Sequence, residues 1–185
     1  VNIVLADNQT RACLKGAGFQ WAGKYAIART HQAYPELRLM QTENECGDGE
    51  NTFEYAEYVA SLLFHYLKNG AEAYVYWNMV LPEGGESTWG WKQNAMITIL
   101  PDSDTYRLNP EFYIMRHFSA FIKPGAVILK AEGGLSPNSI CAKNPDGTVV
   151  VVAANTLDVV RKADIAYGEK HVTLEMPPHS VLTAQ

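Results

Sequence analysis

The run Leu37-Arg38-Leu39-Met40-Gln41-Thr42-Glu43 begins apolar and ends on a carboxylate, and Glu45, Asp48 and Glu50 follow in a glycine-containing loop. The pattern predicts a strand that delivers Glu43 at its C-terminal tip, which is how a barrel or open α/β sheet builds a catalytic site. Glu43 is therefore the candidate nucleophile, with Leu37, Leu39 and the Met40 side expected to pack. Two other predicted strand tips end on polar and aromatic residues, Gln20 with Trp21 and Trp77 with Asn78. A loop beyond them carries Trp89, Trp91 and Asn94. Flat indole faces beside amides and a carboxylate suit a sugar site, although aromatics also fill cores. The plainer alternatives are a surface carboxylate for Glu43, core packing for Trp89, and turn or capping duty for Asn78 and Asn94.

These tips need elements to hold them. Residues 1–6 (VNIVLA) read as a buried strand, with a turn at Asp7-Asn8-Gln9 and the next strand at residues 16–21. No helix is evident between them, and the link is short for a parallel crossover. Residues 22–33 suit a helix stopped ahead of Pro35. After the 37–43 strand and an acidic loop at 44–50, Asn51 reads as an N-cap with Glu54 completing a capping box. Phe53, Tyr55, Tyr58, Val59, Leu62, Leu63, Tyr66 and Leu67 recur at helical spacing, and Asn69-Gly70 closes that helix. Residues 71–78 are the third strand. Strand–helix–strand–helix–strand with short links implies a parallel sheet with right-handed crossovers. Residues 79–94 read as a long loop without structure of its own, the kind that is commonly functional. Asn109-Pro110 starts a helix reaching Phe121. Beyond it, residues 126–131, 139–143, 148–154, 162–166, 171–176 and 181–183 read as short strands of an antiparallel sandwich, with a hairpin turn at Asn144-Pro145-Asp146-Gly147.

Composition narrows the partners. With 185 residues, 47% hydrophobic and 19% charged, the chain has the makeup of a globular protein. A net charge of −5 and no basic stripe argue against nucleic acid. No apolar run is long enough to span a bilayer. No signal peptide is visible, and a chain starting at Val1 hides its export history. The 3 cysteines and 5 histidines show neither a disulfide framework nor metal spacing.

The chain resembles the C-terminal half of family 30 glycoside hydrolases, the acid β-glucosidase group. The motifs that carry the likeness are GAGFQWAGK, LMQTENECGDGEN, YVYWNMVL with EGG, STWGWKQN, and NPEFYIMRHFSAFIKPGA, in the family's order. The resemblance implies a partial (β/α)8 barrel over residues 1–123, carrying strands five to eight, and a side β-sandwich over residues 124–185. It also implies a retaining double displacement on a β-glycoside, with Glu43 as nucleophile at the tip of strand seven. Gln20 and Trp21 fall at the tip of strand six, Trp77 and Asn78 at that of strand eight. Trp91 and Asn94 match the loop that lines the sugar subsite. Ala22 stands where the acid β-glucosidase branch has a Tyr. The family's acid/base Glu, in an Asn-Glu pair on strand four, has no counterpart in these residues. No cofactor or metal is implied, and secretion is the compartment the likeness suggests.

Retention requires two carboxyls about 5–5.5 Å apart. Glu45, two residues beyond Glu43, would lie roughly 7 Å away on a continued strand, a spacing that favours inversion; its alternative is a loop charge. Half a barrel leaves apolar edges, so pairing with a missing N-terminal half-barrel or with a second copy is expected. The rival reading is a non-catalytic carbohydrate-binding or structural fragment.

Overall fold

The structure is a computed structural model that describes residues 2–101 and 104–185. Its contacts sort into two compact units, Val1–Thr52 with His65–Asn109, and Phe53–Phe64 with Pro110–Gln185.

The first unit contains α1 (Asn2–Ala6), α2 (Asn8–Cys13), β1 (Gly16–Gln20), α3 (Lys24–Ala33), β2 (Arg38–Glu43), the last turn of α4 (Phe53–Lys68), β3 (Ala71–Tyr74), β4 (Val80–Pro82), β5 (Ile97–Ile99) and β6 (Tyr106–Leu108). Strands β1, β2 and β3 form a parallel sheet in sequence order. Neighbours of that kind need crossover connections, which the α3 and α4 segments supply. Among the described residues β1 and β3 each hydrogen-bond only to β2, so both margins of the sheet are open. Alternation along β2 buries Leu39 and Gln41 and leaves Arg38, Met40 and Thr42 exposed. The Met40 side therefore does not pack, because the two-residue period sends it to the face opposite Leu39. Phe19, Ile27, Leu39 and Tyr66 are buried core residues of this unit, and Tyr66 meets Tyr74 edge-on with ring centroids 5.9 Å apart. Helix α3 stops at Tyr34, ahead of Pro35, and its start is held where His65 Nε2 bonds the Lys24 carbonyl at 2.8 Å.

Five local expectations change. Residues 2–6 are helix α1 and not a strand; Val1 lies outside the described residues. Without a sheet neighbour, the run satisfies its backbone groups locally, and Ile3 stays 92% exposed. The turn at residues 7–9 instead begins α2, whose first turn is capped where Asp7 Oδ1 accepts from the Thr10 N–H at 2.7 Å. That helix fills the link that looked helix-free. Helix α4 starts at Phe53, which places Thr52 and not Asn51 at its cap position; the Asn51 side chain bonds elsewhere. Strand β3 ends at Tyr74, since the next amide, Val75, donates to both the backbone carbonyl and the side-chain oxygen of Gln41. The 79–94 loop has structure of its own. Its β4 pairs parallel with β5, β5 pairs antiparallel with β6, and Glu86 bridges Lys92.

The second unit contains the α4 residues Phe53–Phe64, α5 (Pro110–Ser119), β7 (Val127–Leu129), β8 (Ser139–Lys143), β9 (Val149–Asn155), β10 (Arg161–Tyr167), β11 (Lys170–Met176) and β12 (Ser180–Ala184). Proline at the first position of α5 costs no helical hydrogen bond. The sheets are antiparallel, one ordered β12-β9-β8-β7 and the other a β10-β11 pair. Ala153, Leu174 and Met176 are buried between them with Leu135, Ala163, Ile165 and Leu182 packed around. Phe64 and Phe118 meet with ring centroids 5.4 Å apart. The Asn144–Gly147 turn joins β8 to β9, closed by the Gly147 N–H on the Asn144 carbonyl at 2.9 Å. His179, between β11 and β12, bonds Glu57 Oε1 of α4 at 3.0 Å and Asp158 Oδ1 of the β9–β10 loop at 2.8 Å.

Candidate active site

Every residue singled out at the strand tips lies in the first unit. Glu43 is the last residue of β2 and is half-buried, paired in register with Gln20, the last residue of β1. The register slips between Phe19 and Gln20, which brings the two tips level. The next residue, Trp21, donates its indole Nε1–H to Glu43 Oε1 at 2.7 Å. Trp21 has φ 48, a left-handed conformation that non-glycine residues adopt at a cost of order 1–2 kcal/mol. That backbone turn is what carries the indole back over the neighbouring tip. A carboxylate accepting from an N–H at this distance has one oxygen fixed and the other free to act.

The β3 side is fixed through Asn44. Buried Asn44 accepts the Trp77 N–H on Oδ1 and donates Nδ2–H to the Glu45 carbonyl, both at 2.7 Å. The residue after the carboxylate thus sets where Trp77 begins, and the Trp77–Asn78 peptide is cis. Asn78 receives the Met96 N–H on its carbonyl at 3.0 Å, and its own side chain reaches the Asn94 carbonyl at 3.4 Å. Trp77 and Trp91 each expose close to half of their surface, and Trp89 stacks on Trp91 with ring centroids 5.7 Å apart.

Asn94 is fully buried. Its Oδ1 accepts the Gly49 N–H at 2.7 Å and the Asn51 N–H at 3.4 Å, and its own N–H donates to the Cys46 carbonyl at 2.6 Å. It therefore shapes the loop after Glu43 from beneath and presents no open face to a sugar. Gly47 makes this possible. Its φ is 70, and a Cβ there would come within 2.5 Å of Asn94 Cγ.

Glu45 is tied to Lys24 in an ion pair whose two side chains are largely buried. A carboxylate held by an ammonium in the loop has the structural part among its two readings. Sequence reasoning missed Lys24, which follows a Trp-Ala-Gly turn like any helix-opening lysine. It also missed Asn44, whose burial no local pattern announces. Among the described residues no group of three or more His, Cys, Asp or Glu could hold a metal ion, and no helix is long and apolar enough to cross a membrane.

Comparison with known proteins gives two family matches. The Glycosyl hydrolase family 30 TIM-barrel domain matches residues 1–122, and the Glycosyl hydrolase family 30 beta sandwich domain matches residues 137–184. A Caenorhabditis elegans protein named putative glucosylceramidase 4 is 26% identical over 201 residues, covering 98% of this chain and 39% of the relative. Lysosomal acid glucosylceramidase of Mus musculus is 26% identical over 177 residues, covering 83% and 33%. The solved structure of the endo-beta1,6-glucanase BT3312 superposes with a TM-score of 0.82 at 26% identity, covering 97% of this chain and 42% of that one. The chain thus spans about two fifths or less of the length of these relatives.

Proposed function

From a chain that belongs to glycosyl hydrolase family 30, a TIM-barrel portion followed by a β-sandwich, we propose the nucleophile-bearing part of a retaining β-glycosidase, with Glu43 as the attacking carboxylate. The observation that carries this is the bond from Trp21 to Glu43, which joins two adjacent strand tips and orients one carboxylate oxygen. In this reading the free oxygen attacks the anomeric carbon, the leaving oxygen departs with a proton from a general acid, and water releases the glycosyl ester. Gln20, Trp21, Trp77, Asn78 and Trp91 contact the sugar, the indoles through its apolar ring face, while Asn94 supports the wall behind them. The barrel portion covers residues 1–123 and the sandwich residues 124–185.

None of residues 1–185 is assigned the general acid/base, because Glu45 is engaged by Lys24. The reading places that group on a covering half-barrel, supplied by further chain or a second copy. The substrate is a β-glucoside, of the glucosylceramide or the β-1,6-glucan kind that the relatives' names carry.

An aryl β-glucoside with a nitrophenolate leaving group needs little acid assistance. The chain is expected to release up to one equivalent of nitrophenolate and to carry a glycosyl ester on the peptide containing Glu43, and Glu43→Gln is expected to abolish both. An adduct on another residue would overturn the assignment. The exposed Trp89–Trp91 stack favours a second reading, sugar binding without turnover. Saturable quenching of tryptophan fluorescence by glucosides, with no ester formed, would select it.

A further inference from the structure

Two side chains from one short turn reach across to the strand tip that carries Glu43. Trp21 opens the turn and gives its indole N–H to Glu43 Oε1 at 2.7 Å. Three residues on, Lys24 opens α3 and pairs with Glu45. The first bond serves the candidate nucleophile. The second holds the next carboxylate along the chain, two residues beyond it.

Three features set this ion pair apart from a surface contact. Its side chains are 16% and 22% exposed, whereas those of the other Lys or Arg pairs among the described residues run from 49% to 85%. Both partners are also held at the backbone, where the Lys24 carbonyl accepts from His65 Nε2 at 2.8 Å and the Glu45 carbonyl from Asn44 Nδ2 at 2.7 Å. Finally, Lys24 stands at the first position of a helix of 10 residues, the end at which the macrodipole disfavours a cation.

A buried ion pair adds little net stability, because apolar side chains of the same volume do as well. A lysine placed both in a desolvated position and at the unfavourable end of a helix is accounted for by the charge it meets. Residues two apart on a chain lie within about 7 Å of each other at Cα, inside the Debye length of about 8–10 Å. The Glu43 and Glu45 charges therefore act on each other. A second anion nearby disfavours the ionised form of a carboxyl group, and a carboxylate attacks only when ionised.

We propose that Lys24 is a positioning residue for the nucleophile: its ammonium neutralises Glu45 and holds it against the start of α3, which leaves Glu43 as the reactive anion at the β2 tip. The inference rests on the glycosidase reading and deepens it. It carries an asymmetry that a merely structural pair lacks. A structural pair is broken alike from either end. Here, removing Lys24 leaves the Glu45 charge beside the nucleophile. Removing Glu45 takes the second anion away and leaves the ammonium 5.0 Å from the centre of the Tyr25 ring.

The test is single-turnover release of nitrophenolate from a saturating nitrophenyl β-glucoside, with urea denaturation read by tryptophan fluorescence to establish that each variant folds. Lys24→Met is expected to slow ester formation about tenfold while the Kd for the glucoside stays within twofold. Lys24→Arg and Glu45→Gln are each expected to remain within threefold of the unsubstituted chain, and adding Glu45→Gln to Lys24→Met is expected to restore the rate to that range. If Lys24→Met does not fold, Lys24→Gln, which keeps a donor without the charge, carries the same expectation. An unchanged rate in the folded Lys24 variant would overturn the inference. So would equal slowing by Glu45→Gln, or a double variant no faster than Lys24→Met, since either marks the pair as scaffolding. Absence of ester in the unsubstituted chain overturns the Glu43 reading and this inference together, whereas ester formed at one rate in every variant overturns the inference alone.

Discussion

Replacing Asn94 by alanine isolates what a buried amide does for the candidate site. The side chain is fully buried, and its oxygen takes the N–H groups of Gly49 at 2.7 Å and Asn51 at 3.4 Å. Removing the acceptor strands the first donor completely, at about 1–3 kcal/mol, and the second, longer bond adds less. The sum is on the order of 2–4 kcal/mol, which for a chain of this size lowers Tm by roughly 5–15 °C. All 4 tryptophans of the chain fall in the first unit, at 21, 77, 89 and 91. Urea denaturation followed by intrinsic fluorescence therefore reports on the unit that carries Asn94. Asn78→Ala is the matched control, because its amide reaches the Asn94 carbonyl only at 3.4 Å; it is expected to cost under about 1 kcal/mol. A loss below about 1 kcal/mol for Asn94→Ala, or equal losses for the two variants, would refute the reasoning.

Trp21→Phe removes the N–H on Glu43 and keeps the ring. A hydrogen bond to a charged group is worth about 1.5–3 kcal/mol, and half-exposed Trp21 belongs at the low end, so the rate of ester formation is expected to fall about tenfold; an unchanged rate would show that the bond orients nothing. His179 is held above the ordinary 6.5 first by its bond to Asp158 and then by that to Glu57. A raised value means its stabilisation is complete below the unfolded-state pKa and fades as pH rises through the folded one. Melting of the second unit should therefore occur at a lower temperature at pH 8 than at pH 5.5, and His179→Gln should flatten that difference in differential scanning calorimetry. Phe118→Ala empties a 5% exposed site against Phe64 and is expected to cost about 3–4 kcal/mol, read by far-ultraviolet circular dichroism of the strand-rich unit.

What the sequence made legible follows from which forces are local. The six sandwich strands fall within a residue or two of where the apolar runs and turn residues place them, and β8 matches residue for residue, because composition and turn chemistry are local signals. The tips at Gln20 and Glu43 were readable for the same reason, whereas Trp77 lies three residues beyond the end of β3. Residues 2–6 were misread because strand propensity has no meaning without a partner strand, and pairing is decided far away in the chain. The β4–β6 ladder was missed because its strands are three residues each, too short for a period to register. Asn44 escaped, and the roles of Asn51, Asn94 and Asn109 were not readable, for another reason. An asparagine is an ordinary loop residue until burial decides which backbone groups it must serve. The pairing of Lys24 with Glu45 likewise depends on where α3 begins relative to the loop after β2.

Among the described residues the β1-β2-β3 sheet is unclosed at β1 and at β3, and under the proposed half-barrel reading that constrains whatever would complete it. A single complement must grip two borders at once, and the second grip, once the first is made, is governed by effective concentration and not by dilution. Reconstitution from separate pieces should accordingly be abrupt. A peptide that docks on only one border gains backbone bonds there, yet leaves the ring gaping and its own far edge bare.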